Sequence, residues 1–408
     1  MSRYWLCSKV PADPIQIARP QTTGTNLALP FVESSHHRMR KEIVPLTSLR
    51  GIAAMAVIAM HFSATMQMNA TGNFPSLAPS GQLAVDVFFV LSGFIMAYTY
   101  LPSFEAQSSL AAYRKFLMKR AARILPLNIA ITVLLVAAAL LSGPVLSKSL
   151  FPRVVLNNWP VDLATNAMML PGLGIGTSIN WPAWSISVEF AAYLMFPLFL
   201  ACIFHPRPIV SAASSMAACI LLIVVCLTGS HLGPDGIHNH PWPWRDLARC
   251  CSEFVLGLGV YRIYRSGWLA ALFEKDATIL GISFAILLLV VCRSPGLFVL
   301  PFFPPLILAL SLNKGWVARL MSMRFLHFLG VISYSLYLVH DNFRDVAVYV
   351  IRSLHPALLS PAQAMILAAI CTFLMIFPAW LSYTLIEKPG RDLFRSGLRR
   401  RPVSSLSS

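Results

Sequence analysis

Two ionisable residues stand eleven apart in an otherwise apolar stretch, Arg50 and His61 in LTSLRGIAAMAVIAMHF. On an α-helix that spacing turns about 20° past three full turns and rises roughly 16 Å, so both side chains share one face. An imidazole takes and returns protons near neutral pH, and a guanidinium grips phosphates and carboxylates. Other groups are set out in the same way. Asp86 opens the run VDVFFVLSGF, Ser185 and Glu189 are four apart in WSISVEF, and Ser333, Tyr337 and His340 fall at i, i+4, i+7 in ISYSLYLVH. Arg120 and Arg123, three apart, share a helical face. An acid/base centre (His61, Asp86, Glu189, His340) and an anion clamp (Arg50, Arg120, Arg123) fit this inventory. The plainer accounts are snorkelling arginines and polar glue between helices.

The elements that must hold these groups are membrane helices. Hydrophobic residues make up 57% of the 408, and charged residues only 12%, about half the share of a soluble domain. That excludes an ordinary soluble fold and also disorder, which needs few apolar residues. The apolar runs reach the roughly 20 residues that a spanning helix requires, and the short alternating segments of a membrane barrel are missing. An all-α, polytopic integral membrane protein with about ten transmembrane helices is expected. The spans fall near 44–66, 82–101, 124–142, 184–204, 209–229, 247–263, 277–292, 296–312, 326–346 and 363–385. The stretch 162–172 is too short to span and reads as a re-entrant or interfacial helix.

Charge sets the expected orientation. With the N-terminus inside and the spans alternating, 24 of the 32 Lys and Arg residues lie inside and seven outside, Arg50 being within the first span. Basic residues collect on the cytoplasmic side, so both termini are expected in the cytoplasm. The same bias accounts for the net charge of +16 and makes nucleic acid an unneeded partner. Residues 1–43, without an apolar signal core, read as a poorly ordered cytoplasmic tail. Residues 44–386 then form the membrane domain, and 387–408 a basic cytoplasmic tail. The paired histidines His36 and His37 sit among basic residues, as in a juxtamembrane anchor. The eight cysteines lie mostly in apolar runs without a CxxC, and neither disulfide nor metal work is expected of them. With this topology His61, Asp86, Glu189 and His340 share a depth in the outer half, and Arg50, Arg120 and Arg123 face the cytoplasm. Asp86 is the partner expected for His61.

Six segments in order carry a resemblance to the acyltransferase 3 family of integral membrane acyltransferases. They are Leu49-Arg50-Gly51 with His61, VDVFFVLSGF at 85–94, Arg120-x-x-Arg123 before Ile124-Leu125-Pro126, WSISVEF at 184–190, ISYSLYLVH at 332–340, and Glu387-Lys388-Pro389. The resemblance covers about residues 44–390. The family's Asp-Gly before the first Leu-Arg-Gly is Thr47-Ser48 here, so any role of that aspartate is absent. Some members carry a further hydrolase-like domain at the C-terminus, which is not expected in this chain.

The resemblance implies transfer of an acyl group, often acetyl from acetyl-coenzyme A, to a carbohydrate hydroxyl such as that of exopolysaccharide, O-antigen or a lipochitooligosaccharide nodulation signal. It implies a bacterial inner-membrane enzyme in which His61 is catalytic and the arginines serve the donor. No bound cofactor or metal is expected; acyl-coenzyme A and the carbohydrate acceptor are substrates, and the bilayer is the solvent. In this reading His61, oriented by Asp86 or Glu189, takes the acceptor's proton. Tyr337, Ser333, His340 or backbone amides support the developing oxyanion or contact the acceptor, and Arg50, Arg120 and Arg123 hold coenzyme A phosphates. Direct transfer and an acyl-His61 relay both fit. Two other classes are a glycan transporter or flippase, for which the buried charges would line a path, and a receptor or structural subunit.

Overall fold

The computed structural model describes residues 41–71, 83–106, 109–143, 150, 154, 158–228, 243–354 and 359–399. The chain divides into Met1–Lys41 and Glu42–Ser408, and only the second is described below. His36, His37 and residues 400–408 lie outside the described residues.

Every regular element among the described residues is helical. Named in chain order, the α-helices of seven residues or more are α1 (Val44–Thr71), α2 (Leu83–Ala106), α3 (Ser109–Leu141), α4 (Trp159–Ala167), α5 (Ala183–Leu194), α6 (Phe196–Ile203), α7 (Pro208–Thr228) and α8 (Pro243–Ser266). There follow α9 (Asp276–Val291), α10 (Phe303–Leu312), α11 (Arg324–Val331), α12 (Ser333–Leu354), α13 (Pro361–Leu374), α14 (Ile376–Ser382) and α15 (Lys388–Arg399).

Among the described residues, five stretches are long and apolar enough to cross a bilayer: Val44–Gln67, Leu83–Ala106, Leu110–Leu141, Pro208–Thr228 and Pro361–Leu393. Helices α5 and α6, bent by 60°, make a sixth if taken as one span. Pro197 in the first turn of α6 accounts for the bend, because it withholds an N–H from the ladder. The other four expected spans coincide with helices that miss the same standard for visible reasons. α8 carries Arg245, Asp246, Arg249, Glu253, Arg262 and Arg265. α9 has 16 residues, Gly296–Leu312 is interrupted by Pro301, Pro304 and Pro305, and the ninth span, broken at Ile332, carries Asp341, Arg344 and Asp345 in α12. The architecture is that of a helical integral membrane protein. The third span starts earlier than its apolar run suggests. α3 begins at Ser109 and carries Arg120 and Arg123 as part of one continuous helix.

Three packings position the functional residues. α2 lies along α8, where Gly93 and Gly257 face one another and let the two backbones touch. α1 is wrapped by α11, α12 and α13. α15 returns onto α3, Gly390 against Pro126, so the segment after Glu387 is an ordered helix as far as Arg399. At the foot of α1, Glu42 accepts hydrogen bonds from Thr47 Oγ1 (2.6 Å) and pairs with His327 (3.1 Å). Burial pushes its carboxyl up, but these bonds outweigh that and hold it below the usual range. The seven described cysteines are unpaired thiols.

Candidate functional site

α1 carries His61 into a cavity of about 30 Å3, lined also by Trp181, Trp184, Tyr337, His340 and Arg249. That is room for about one water. The His61 and His340 rings stand 5.1 Å apart. His340 Nδ1 lies 2.5 Å from the Tyr337 carbonyl, so Nδ1 is assigned as the N–H that donates there, leaving Nε2 as the basic nitrogen of the neutral ring. The Tyr337 hydroxyl meets Ser185 Oγ at 2.7 Å, which joins the polar faces of α5 and α12. Ser333, one turn away from Tyr337, is buried and is not part of the cavity wall.

The loop before α5 is tied down residue by residue. Asn180, fully buried, donates to the Leu338 carbonyl (3.0 Å) and accepts from Asn342 (2.8 Å). This holds Trp181 beside α12. Farther back, Asp162 accepts the Thr177 amide (2.8 Å), and Asn166 donates to the Thr177 carbonyl (2.7 Å) while Asn128 of α3 donates to the Asn166 carbonyl (3.0 Å). The sequence 162–172 thus forms α4 and a 3₁₀ turn (Pro171–Leu173) folded onto the bundle.

Two expected pairings are corrected. Asp86 does not serve His61 as its named partner. It forms an ion pair with Arg249 of α8, Nη2 to Oδ2 at 2.5 Å, both groups buried. A low-dielectric carboxylate is stabilised best by a bidentate-capable guanidinium, and α8, not α1, delivers one. Glu189 has hydrogen-bond partners of its own. It accepts hydrogen bonds from Ser92 Oγ and from the Tyr193 hydroxyl, and Ser92 is six residues, roughly 9 Å, along α2 from Asp86. Its electrostatic partners are Arg50 and Arg120.

Arg50 and Arg120 share one electrostatic neighbour, Glu189. Arg50 interacts with Arg123, Glu189 and Glu387. Arg120 donates to the Tyr100 hydroxyl at 2.9 Å and sits 5.3 Å from that ring's centroid. Glu387 is buried and accepts from Ser335 at 2.7 Å; it is placed there by a π-helical turn, Tyr383–Glu387, a distortion common at functional sites. Three cations beside two carboxylates leave an excess of positive charge, as a site for an anion requires.

Asp341, Arg344, Arg249 and Glu253 are the residues that sequence reasoning passed over. Asp341 and Arg344, both buried, are bonded at 2.7 Å; their i, i+3 spacing next to His340 was a usable signal. So was the i, i+4 spacing of Arg249 and Glu253, hidden because Arg249 counts as a flanking charge. Donor atoms of His61, His340 and Asp341 all lie within 4.8 Å of one another, which a divalent cation could bridge. Arg344 also engages the Asp341 carboxylate.

A family profile described as an acyltransferase domain matches residues 45–384. The chain is 29% identical over 390 residues to the Streptomyces mycarofaciens protein "Acyltransferase MdmB", covering 88% of this chain and 94% of that one. It is 29% identical over 166 residues to "Peptidoglycan O-acetyltransferase OatA" of Listeria monocytogenes, covering 40% and 24%. With "O-acetyltransferase OatA" of Staphylococcus aureus the identity is 23% over 381 residues, 85% of this chain and 57% of the relative. The chain thus spans nearly all of the Streptomyces relative but less than two thirds of the other two. No solved structure matches.

Proposed function

The chain belongs to the acyltransferase 3 family, and we propose that it is a membrane-bound O-acyltransferase moving an acyl group, acetyl from acetyl-coenzyme A, to a hydroxyl of a cell-surface or secreted carbohydrate. Relatives named as O-acetyltransferases, one of them for peptidoglycan, support the reaction and the carbohydrate class. Exopolysaccharide, O-antigen and lipochitooligosaccharide are acceptors of that chemistry. The observation that carries the reading is that one helix, α1, joins the Arg50–Arg120–Arg123 cluster to the His61 cavity, roughly 16 Å apart along the axis.

In this proposal the ten helices cross the inner membrane of a bacterium, both termini lie in the cytoplasm, and the arginine cluster faces inward. Coenzyme A phosphates bind Arg50, Arg120 and Arg123 by charge-assisted bonds, and the pantetheine arm runs along α1 toward His61. His61 removes the proton of the acceptor hydroxyl as its oxygen bonds to the thioester carbonyl. The carbonyl electron pair moves onto oxygen, where Tyr337, held by Ser185, donates a hydrogen bond. As the C–S bond breaks, the thiolate leaves and takes the proton back from His61. His340 lies against the His61 ring and contacts the acceptor. Asp86 and Glu189 act by fixing helices α2 and α5 rather than on the reacting atoms, and Ser333 lies outside the cavity wall.

His61→Ala is the test. A small apolar residue is welcome on a membrane helix, so expression stays intact while transfer falls about 10²–10⁴-fold, the usual worth of a general base. Near-normal transfer by the purified variant would remove His61 from the reaction.

A further inference from the structure

Two carboxyls and one guanidinium are buried together where α2 meets α8. Asp86 is 0% exposed, Glu253 1% and Arg249 6%. Arg249 is bonded to Asp86 at 2.5 Å, but its Nε stands 3.7 Å from Glu253 Oε1, too far for a hydrogen bond. Both Glu253 oxygens and Asp86 Oδ1 are buried with no hydrogen-bond donor among the described residues, and the Glu253 and Asp86 carboxyls are electrostatic neighbours. Two ionised carboxylates sharing one cation in a dry interior are costly, and a proton shared between them removes that cost. Asp86 is in the first turn of α2, where the helix dipole favours an anion, and it already receives Arg249. Glu253 is in the middle of α8 with no such support. A proton on Glu253, donated to Asp86 Oδ1, satisfies an oxygen on each side that otherwise has nothing. Asp246, Cys226 and Cys250 are the other titratable groups near Arg249.

Arg249 also lines the cavity beside His61 and Tyr337. It has five N–H donors, of which Asp86 engages one. The geometry points to Glu253 as a proton-bearing positioning residue that fixes Asp86 and, through it, Arg249 as the catalytic donor to the carbonyl oxygen of the acyl group. This rests on the acyl-transfer reading above. Arg249 bonds to the oxygen while it carries the electron pair and loosens as the C–S bond breaks. The Glu253 proton stays on the carboxyl pair throughout and is not consumed.

The experiment uses the full chain purified in detergent. In infrared difference spectra between the wild type and Glu253→Gln, a carboxylic-acid carbonyl band is expected in the wild type, shifted in D2O and absent from the variant. Selective 13C-labelling of glutamate in the wild type alone identifies the same band if the variant does not fold. Absence of the band overturns the proton. Gln can still donate to Asp86, so Glu253→Gln should keep most of the kcat that Glu253→Ala loses; equal loss in both overturns the positioning role. Arg249→Gln should lower kcat about 10²–10³-fold, as loss of an oxyanion donor does, with KM for acetyl-coenzyme A unchanged. An unchanged kcat overturns Arg249 as donor. A wild type that shows the band but transfers no acyl group overturns the reaction and Arg249's part in it, and leaves the proton on Glu253 standing.

Discussion

Gly93→Ala should cripple this protein although it adds one methyl group far from the cavity. At the α2–α8 crossing, a Cβ on Gly93 would stand 2.9 Å from the Phe254 carbonyl carbon and 3.1 Å from Gly257 Cα, with the Phe254 oxygen closer still. Ordinary contact begins near 3.4 Å, and the obstacle is backbone, so no rotamer relieves it. Relieving the Phe254 oxygen, the nearest of these atoms, parts the helices by roughly 1–1.5 Å, which carries the Arg249–Asp86 bond of 2.5 Å to about 3.5–4 Å, past the limit of a hydrogen bond. Overpacking costs about 1–3 kcal/mol, and breaking a buried ion pair about 3–5 kcal/mol. Their sum is comparable with the whole stability of many folded domains, about 5–15 kcal/mol. The assay is thermal unfolding of detergent-purified protein, followed by tryptophan fluorescence, with acyl transfer measured alongside. Gly259→Ala, two residues along α8, is the control: its nearest neighbour would be Ser215 Oγ at 3.7 Å, an ordinary contact, and it should behave as wild type. A Gly93→Ala variant that melts and turns over with the wild type would refute the claim that this crossing holds Arg249 against Asp86.

The arginine cluster and the orientation yield two further predictions. Arg50→Ala and Arg120→Ala should raise KM for acetyl-coenzyme A more than for the acceptor, since each removes charge-assisted bonds to phosphate; titration of the donor against each variant checks this, and an unchanged donor dependence would reduce them to flanking charges. For sidedness, a lone cysteine at Thr177, which is exposed, should react with an impermeant thiol reagent on intact cells. One at Ser322, which is also exposed, should react only after the cells are opened. Ser103, at 7% exposure, is unsuitable as an inner probe. Opposite labelling would invert the topology.

The helices were legible because a bilayer span needs a long apolar run and little else. α1, α2 and α7 begin and end within a few residues of their hydrophobic stretches. The Arg50–His61 register followed from helical periodicity alone, and the i, i+4, i+7 face of α12 did place Tyr337 and His340 together in the cavity wall. These are properties of one helix, and one helix can be read from its own sequence.

What lay between helices could not be read that way. Residue number gives a group's depth along its own span, but not which group of a neighbouring helix it meets there. Which helix faces which is decided by how closely backbones can approach. Gly93 and Gly257 let α2 lie on α8, so Arg249 reached Asp86 first; Ser92 and Tyr193 took Glu189 toward Arg50. The sequence by itself determined the helical class, the apolar spans and the residues that share a face. Only the tertiary structure decided which charges meet, because a buried ion pair forms wherever packing brings two helices together, and packing depends on surfaces far apart in the chain.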